Sequence, residues 1–182
     1  MASHLRERYL KLADSAFRLI EPVLQVESGL PVALQGIGEP ELQEVDCWRR
    51  HPACRVEWDW RKILREFRKK PKRMDVSFYV NQRLCGLMIA TISKARVNIN
   101  VAYVEACPDP AHPLKERFLG VAMLQAELCA AVIDATHVSV SKPDHNVVPL
   151  YEGLGYQMLS SDRARLRRGG RPRYELLVKA IR

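Results

Sequence analysis

The stretch "KERFLGVAMLQAELCAAVI", residues 115–133, places Gly120 at the head of a nearly unbroken apolar helix, three residues after Arg117. Glycine costs helix stability, and Arg117 adds positive charge where the helix dipole is already positive. Bare N–H groups at a helix start, beside a cation, form a cradle for phosphate. The other reading of the same residues is a turn in which Gly120 only lets the chain bend. Cys47, His51 and Cys54 also stand close together in the sequence. A closed zinc site takes four ligands in paired short spacings, and no second pair follows, so no metal is expected. With Cys85, Cys107 and Cys129 the cysteine count is five, an odd number that fits no disulfide framework and implies reduced thiols.

The formal net charge of +8 predicts attraction to something acidic: a phosphorylated cofactor, nucleic acid or an acidic protein surface. With 47% hydrophobic and 27% charged residues, the chain of 182 residues has the composition of a folded globular protein with a substantial core. No apolar run approaches the ~20 residues that span a bilayer, so no membrane partner is expected. The start, "MASHLRERYLKLADSAF", mixes charge into its apolar residues and lacks a secretory core region. The expectation is therefore a cytoplasmic protein.

The elements that must position the phosphate cradle can be read along the chain. Residues 4–25 have helical spacing through Leu5, Tyr9, Leu12, Ala13, Ala16, Phe17 and Ile20. Pro22 is expected to interrupt this helix, with "FRLIEPV" as an alternative short strand. "SGLPVALQGIG" reads as a strand, and "EPELQEVDCWRRH" as a helix with proline at its start. In "EWDWRKILREFRKKP", Asp59 is a cap, Trp60, Ile63, Leu64 and Phe67 share one face, and Pro71 ends the helix. Three strands follow, "MDVSFYV", "RLCGLMIATIS" and "RVNINVAYVEA", the first two joined by an "NQ" turn. Asn98 and Asn100 alternate with Val97, Ile99 and Val101, as in a strand with one wet face. After the apolar helix come the strand "HVSVSKP", the short helix "NVVPLYEGLG", the segment "YQMLSS", and a hairpin expected to turn at "RRGG" into the strand "RYELLVKAI".

This order of elements resembles the GNAT (Gcn5-related N-acetyltransferase) superfamily. Arg117-Phe118-Leu119-Gly120-Val121-Ala122 matches its Gln/Arg-x-x-Gly-x-Gly/Ala pyrophosphate loop, and "LYEGLGY", Leu150 to Tyr156, matches its later Leu-Tyr-Glu-x-x-Gly-Phe/Tyr signature. The resemblance covers roughly residues 30–182, leaving residues 1–29 as an N-terminal helical extension. It implies an α/β fold with a mixed, mainly antiparallel sheet flanked by helices, and acetyl-CoA as co-substrate. Its pyrophosphate would be clasped by the loop Arg117 to Ala122. Three features depart from the pattern: the longer "CPDPAHPLKE" connection, Phe118 in place of the usual first glycine, and Asp144 where asparagine is common, with Asn146 nearby as a cofactor contact.

The reaction implied is acetyl transfer to an amine. An alkyl ammonium with a pKa of ~10.4 must lose a proton before it attacks at neutral pH. Tyr151 occupies the family position that sets a hydroxyl beside the coenzyme sulfur, and is the candidate acid. Its other reading is a tyrosine packed on its helix. Glu105, at the end of the fourth strand, is the candidate base, with a solvated strand-end carboxylate as its alternative; His145 is a third candidate. The resemblance also implies that backbone N–H groups around Val104 and Ala106 meet the oxyanion and the pantetheine arm. The six arginines Arg163, Arg165, Arg167, Arg168, Arg171 and Arg173 point to an acidic acceptor: a protein, an RNA or a phosphorylated metabolite. A homodimer is compatible with all of this. The rival readings are a nucleic-acid-binding module and a GNAT-fold protein without catalysis. Against the first, the basic stretches carry no interleaved stacking aromatics.

Overall fold

In the computed structural model, residues 2–56, 58–70 and 72–181 are described, with side chains from residue 13 onward. Pro71, expected to end a helix, lies outside them. The sheet explains the rest of the architecture. It has seven strands in the order β1-β2-β3-β4-β5-β7-β6, for β1 (Val32–Gln35), β2 (Arg73–Val80), β3 (Arg83–Ile92), β4 (Asn98–Ala106), β5 (His137–Ser141), β6 (Gln157–Met158) and β7 (Leu176–Ala180). Every pairing is antiparallel except β4 with β5. The β2–β3 hairpin turns at Asn81 and Gln82, both with positive φ (49° and 65°), as a two-residue turn matched to strand twist requires.

Two cores lie on the two faces. On one, α1 (Ala2–Ser28), α4 (Phe118–Val132) and α5 (Val148–Gly153) pack over Val76, Phe78, Met88 and Val101. On the other, α2 (Glu39–Trp48) and α3 (Trp60–Phe67) pack over Leu84, Leu87 and Ile89. Asp59 caps α3, accepting from the Lys62 N–H at 2.8 Å. α1 runs through Pro22 without a break, so the expected interruption does not occur. The reason is tertiary: Phe17 and Ile20 before the proline and Leu24 after it are all buried in one core. Their burial offsets the ~3 kcal/mol that an internal proline costs.

The expected hairpin at "RRGG" is also corrected. Residues Ser160–Arg167 form a helix, α6. Gly169, at φ 74°, ends it, with its N–H on the Leu166 carbonyl and the Gly170 N–H on the Arg165 carbonyl. That pair of bonds is a Schellman cap rather than a strand turn. The buried Asp162 then fixes the way out, its two carboxylate oxygens accepting from the N–H groups of Arg173 and Tyr174. Asn98 and Asn100 do not face open water either. They bond along β4 and β5 to Ser139 and Ser141.

Gly86, inside β3, is there for close approach. A methyl group on it would lie 2.1 Å from the Phe118 ring and 2.7 Å from the Glu105 carbonyl oxygen. Phe118 leans over that gap, edge-on to Phe78 with centroids 5.3 Å apart. Gly86→Ala is expected to lower stability by about 2–3 kcal/mol, as overpacking of a tight core does. Urea melts check this, with partial recovery when Phe118→Leu is added; an unchanged midpoint in the single variant would show that the ring moves aside freely.

Candidate active site

β4 pairs with β5 only from Asn98 to Val101, and Ala102 is the extra residue of a bulge against β3. The bulge bends the strand, and beyond it β4 leaves β5. The Cys107 N–H donates to the Cys85 carbonyl at 2.9 Å. With the two-residue period of an antiparallel ladder, Tyr103 and Glu105 also turn their backbone groups towards β3. Val104 and Ala106 therefore turn theirs to the edge that β5 has left. The chain reaches α4 from the end of β4 and α5 from the end of β5, so both helices begin at this opening.

Each stretch around the opening has a local cause. Arg117 caps α4 with no side-chain bond, and the Val121 N–H is taken by the Arg117 carbonyl at 3.0 Å. The N–H groups of Phe118, Leu119 and Gly120 have no acceptor among the described residues. Of the loop matched in the sequence, these three are the available donors, while Val121 and Ala122 are buried within the helix. A Cβ on Gly120 would meet only Leu154, at 3.9 Å, so the glycine is not needed for packing and leaves its space open. That space belongs to a cavity of about 380 Å³ lined by Gly120, Leu119, Leu150 and Leu154 together with Glu27 and Glu116. The Phe118 side chain points the other way, into the core beneath Gly86. Arg117 Nη1 is held at 3.3 Å by the carbonyl of Ser28, at the C-terminal end of α1. Sequence alone could not find that partner, 89 positions away.

The "LYEGLGY" segment has a structural explanation for most of its residues. Gly155, at φ 90°, lets the Tyr156 N–H reach the Tyr151 carbonyl and the Gly155 N–H reach that of Glu152, a Schellman cap on α5. Tyr156 is buried and donates to Glu127 at 3.0 Å. Tyr151 is buried too, edge-on to Tyr156 at 6.1 Å, and burial pushes its hydroxyl up to about 12. No hydrogen bond to its hydroxyl is found among the described residues.

Glu105 lies on the opposite face of the sheet, 6% exposed. Burial raises its carboxyl to about 7, against the opposing pulls of the Trp60 hydrogen bond and the Arg49 charge. Trp60 Nε1 donates to Glu105 Oε2 at 2.5 Å, and no other bond to this carboxylate is found among the described residues. The sequence offered no sign of that partner. Trp58 and Tyr103, edge to face at 5.1 Å, stand in the same cluster. Asn146 is exposed, its N–H bound to the Asp144 carboxylate, and His145 packs on Tyr174. Both stay on the loop after β5, away from the Glu105 face. Among the described residues no cluster is arranged to hold a metal ion, and no helix is long and apolar enough to cross a membrane.

Solved structures share this architecture. N-acetylglutamate synthase from Neisseria gonorrhoeae, solved with coenzyme A and N-acetyl-glutamate, matches with a TM-score of 0.54 at 16% identity, over 83% of this chain and 35% of that one. Ard1 from Thermoplasma volcanium matches with a TM-score of 0.55 at 10% identity, over 83% and 98% of the two chains. The ribosomal-protein-S18-alanine N-acetyltransferase from Escherichia coli matches with a TM-score of 0.51 at 11% identity, over 82% and 94%. No family profile and no curated protein sequence matches the chain. The chain has the GNAT fold, a mixed sheet with mostly antiparallel strands, and the neighbours named here include an N-acetyltransferase. At these identities the likeness is one of fold.

Proposed function

We propose that this chain transfers an acetyl group from acetyl-CoA to an amine of an acidic acceptor. The observation that carries this reading is the opening beside β4. Free N–H groups of α4 and a buried tyrosine lie on one face of the sheet, a buried carboxylate lies on the other, and an unpaired strand edge runs between them. Acetyl-CoA supplies the acetyl thioester. The N–H groups of Phe118, Leu119 and Gly120 bind its diphosphate, with the α4 dipole favouring the negative charge. The edge groups of Val104 and Ala106 pair with the pantetheine arm and face the thioester oxygen. Glu105 takes a proton from the acceptor ammonium, and the freed amine attacks the acetyl carbon. The carbon–sulfur bond breaks as Tyr151 gives its proton to the departing sulfur, and the second proton shed by the new amide nitrogen restores the Tyr151 hydroxyl. Burial makes Tyr151 a reluctant acid, but the same apolar setting raises the basicity of the sulfur it must protonate.

Gly120→Val tests the cofactor half of this reading. Its side chain fills the open space beside the free N–H groups, so coenzyme A affinity in calorimetry is expected to fall more than tenfold while the melting temperature holds. Unchanged affinity would remove the diphosphate assignment.

The acceptor's acidity is argued from Arg165, Arg167, Arg168, Arg171 and Arg173. None of them has an ion-pair partner among the described residues. Their segment leads into β7 at Leu176, which pairs with Ser141 at the end of β5 next to the opening. Arg165, Arg167 and Arg168 changed together to Ser should leave coenzyme A affinity intact and raise KM for an acidic acceptor, as added salt does for the unmodified protein. Loss of RNA binding in this variant, from a wild type with no coenzyme A affinity, would favour the nucleic-acid module instead.

A further inference from the structure

α1 carries more apolar surface than its own domain uses. Ala13, Ala16, Phe17, Ile20 and Leu24 turn into the core, with Ala13 beside Cys129 and Ile133 and Ser28 beside Arg117, so the helix runs antiparallel along α4. On a second stripe Leu19, Val23 and Val26 are 65%, 40% and 80% exposed. In the sequence, Leu12 and Leu5 precede Leu19 by seven and fourteen residues. Leu5, Leu12, Leu19 and Val26 thus recur every seven residues along a helix of 27 residues, about 40 Å long. A seven-residue apolar repeat whose described members, Leu19 and Val26, face solvent is the pattern of a helix that pairs with another helix.

We infer that this stripe is the interface of a homodimer, in which α1 pairs antiparallel with α1 of a second copy. Charge selects both the occupant and the direction. Residues 2–13 carry Arg6, Arg8, Lys11 and Glu7, a net +2, whereas residues 14–28 carry Asp14, Glu21, Glu27 and Arg18, a net −2. A parallel pair sets like charge on like. An antiparallel pair sets the basic half of each copy beside the acidic half of the other, and the seven-residue repeat then puts Leu5 opposite Val26 and Leu12 opposite Leu19. The helix is complementary to itself only in that one direction, which is the condition for a closed two-fold interface.

Sedimentation of the full chain across micromolar concentrations tests this. A dimer is expected, and Leu19→Glu with Val26→Glu should weaken its association at least ~100-fold, the scale of losing two buried apolar anchors. Neither residue belongs to the core, so the melting temperature of the variant's monomer should stay close to that of the wild type. Direction is read by cross-linking in a Cys47→Ser, Cys54→Ser background. Protein carrying Leu5→Cys mixed with protein carrying Val26→Cys should form the mixed disulfide, and Val26→Cys alone should not. A wild type that stays monomeric at ~100 µM would overturn the proposal, as would a dimer that survives the double glutamate variant. Disulfide formation by Val26→Cys alone would overturn the antiparallel pairing. A monomer that co-sediments with anionic phospholipid vesicles would assign the stripe to a membrane surface instead.

Discussion

Glu105→Gln is expected to lower kcat/KM for amine acetylation by ~10²–10⁴-fold while making the protein more stable at alkaline pH. Both effects come from one environment. The native carboxyl titrates at about 7, above its ordinary value, because burial penalises the charged form. The folded state therefore holds this proton more tightly than the unfolded chain does. Its contribution to stability is complete below the unfolded value near 4.5, declines as pH rises through about 7, and is absent above. A shift of that size corresponds to roughly 3 kcal/mol of cost at pH 8. Glutamine keeps an oxygen for the Trp60 N–H and carries no charge, so it avoids that cost. At pH 8 the variant should melt several degrees above the wild type, and near pH 4 the two should coincide. In the wild type kcat/KM should rise with pH to a plateau above about 7, and the residual activity of the variant should lack that rise. Equal melting at pH 8, or an unchanged pH profile, would show that Glu105 titrates as an ordinary carboxylate and is not the base.

Tyr151→Phe should lower turnover by ~10²-fold or more with little change in coenzyme A affinity or stability. The hydroxyl has no hydrogen-bond partner among the described residues, so its removal strands no buried group, and the ring contact with Tyr156 is retained. Kinetics and calorimetry on the same preparation separate the outcomes. Equal turnover would assign Tyr151 to packing, and a loss of coenzyme affinity in step with turnover would make it a binding residue. Tyr156→Phe is the control: its hydroxyl is bonded to Glu127, which also holds Lys179 at 2.7 Å. That variant should lose stability and keep the chemistry.

The sequence by itself determined most of what depends on neighbours along the chain. Apolar periodicity located the helices and strands, the "NQ" turn joined β2 to β3, Asp59 capped α3, and the two ordered motifs pointed to the GNAT arrangement that the sheet adopts. These features are legible because turn conformations, caps and one-sided burial leave a local imprint. Where a local signal has two uses, it failed. Two glycines after a largely polar run serve a hairpin and a Schellman cap equally well, and only packing made α6 a helix held by Asp162 to the segment that precedes β7. Pro22 carries a real local penalty, which burial of its neighbours on the sheet overrides. The site depended still more on tertiary contact. The parting of β4 from β5 follows from a bulge that no residue type at Ala102 announces. Trp60 reaches Glu105 across 45 positions, and Ser28 reaches Arg117 across 89. Proton affinity and the direction of a guanidinium are set by desolvation and by partners in space, and neither quantity exists until the chain has folded.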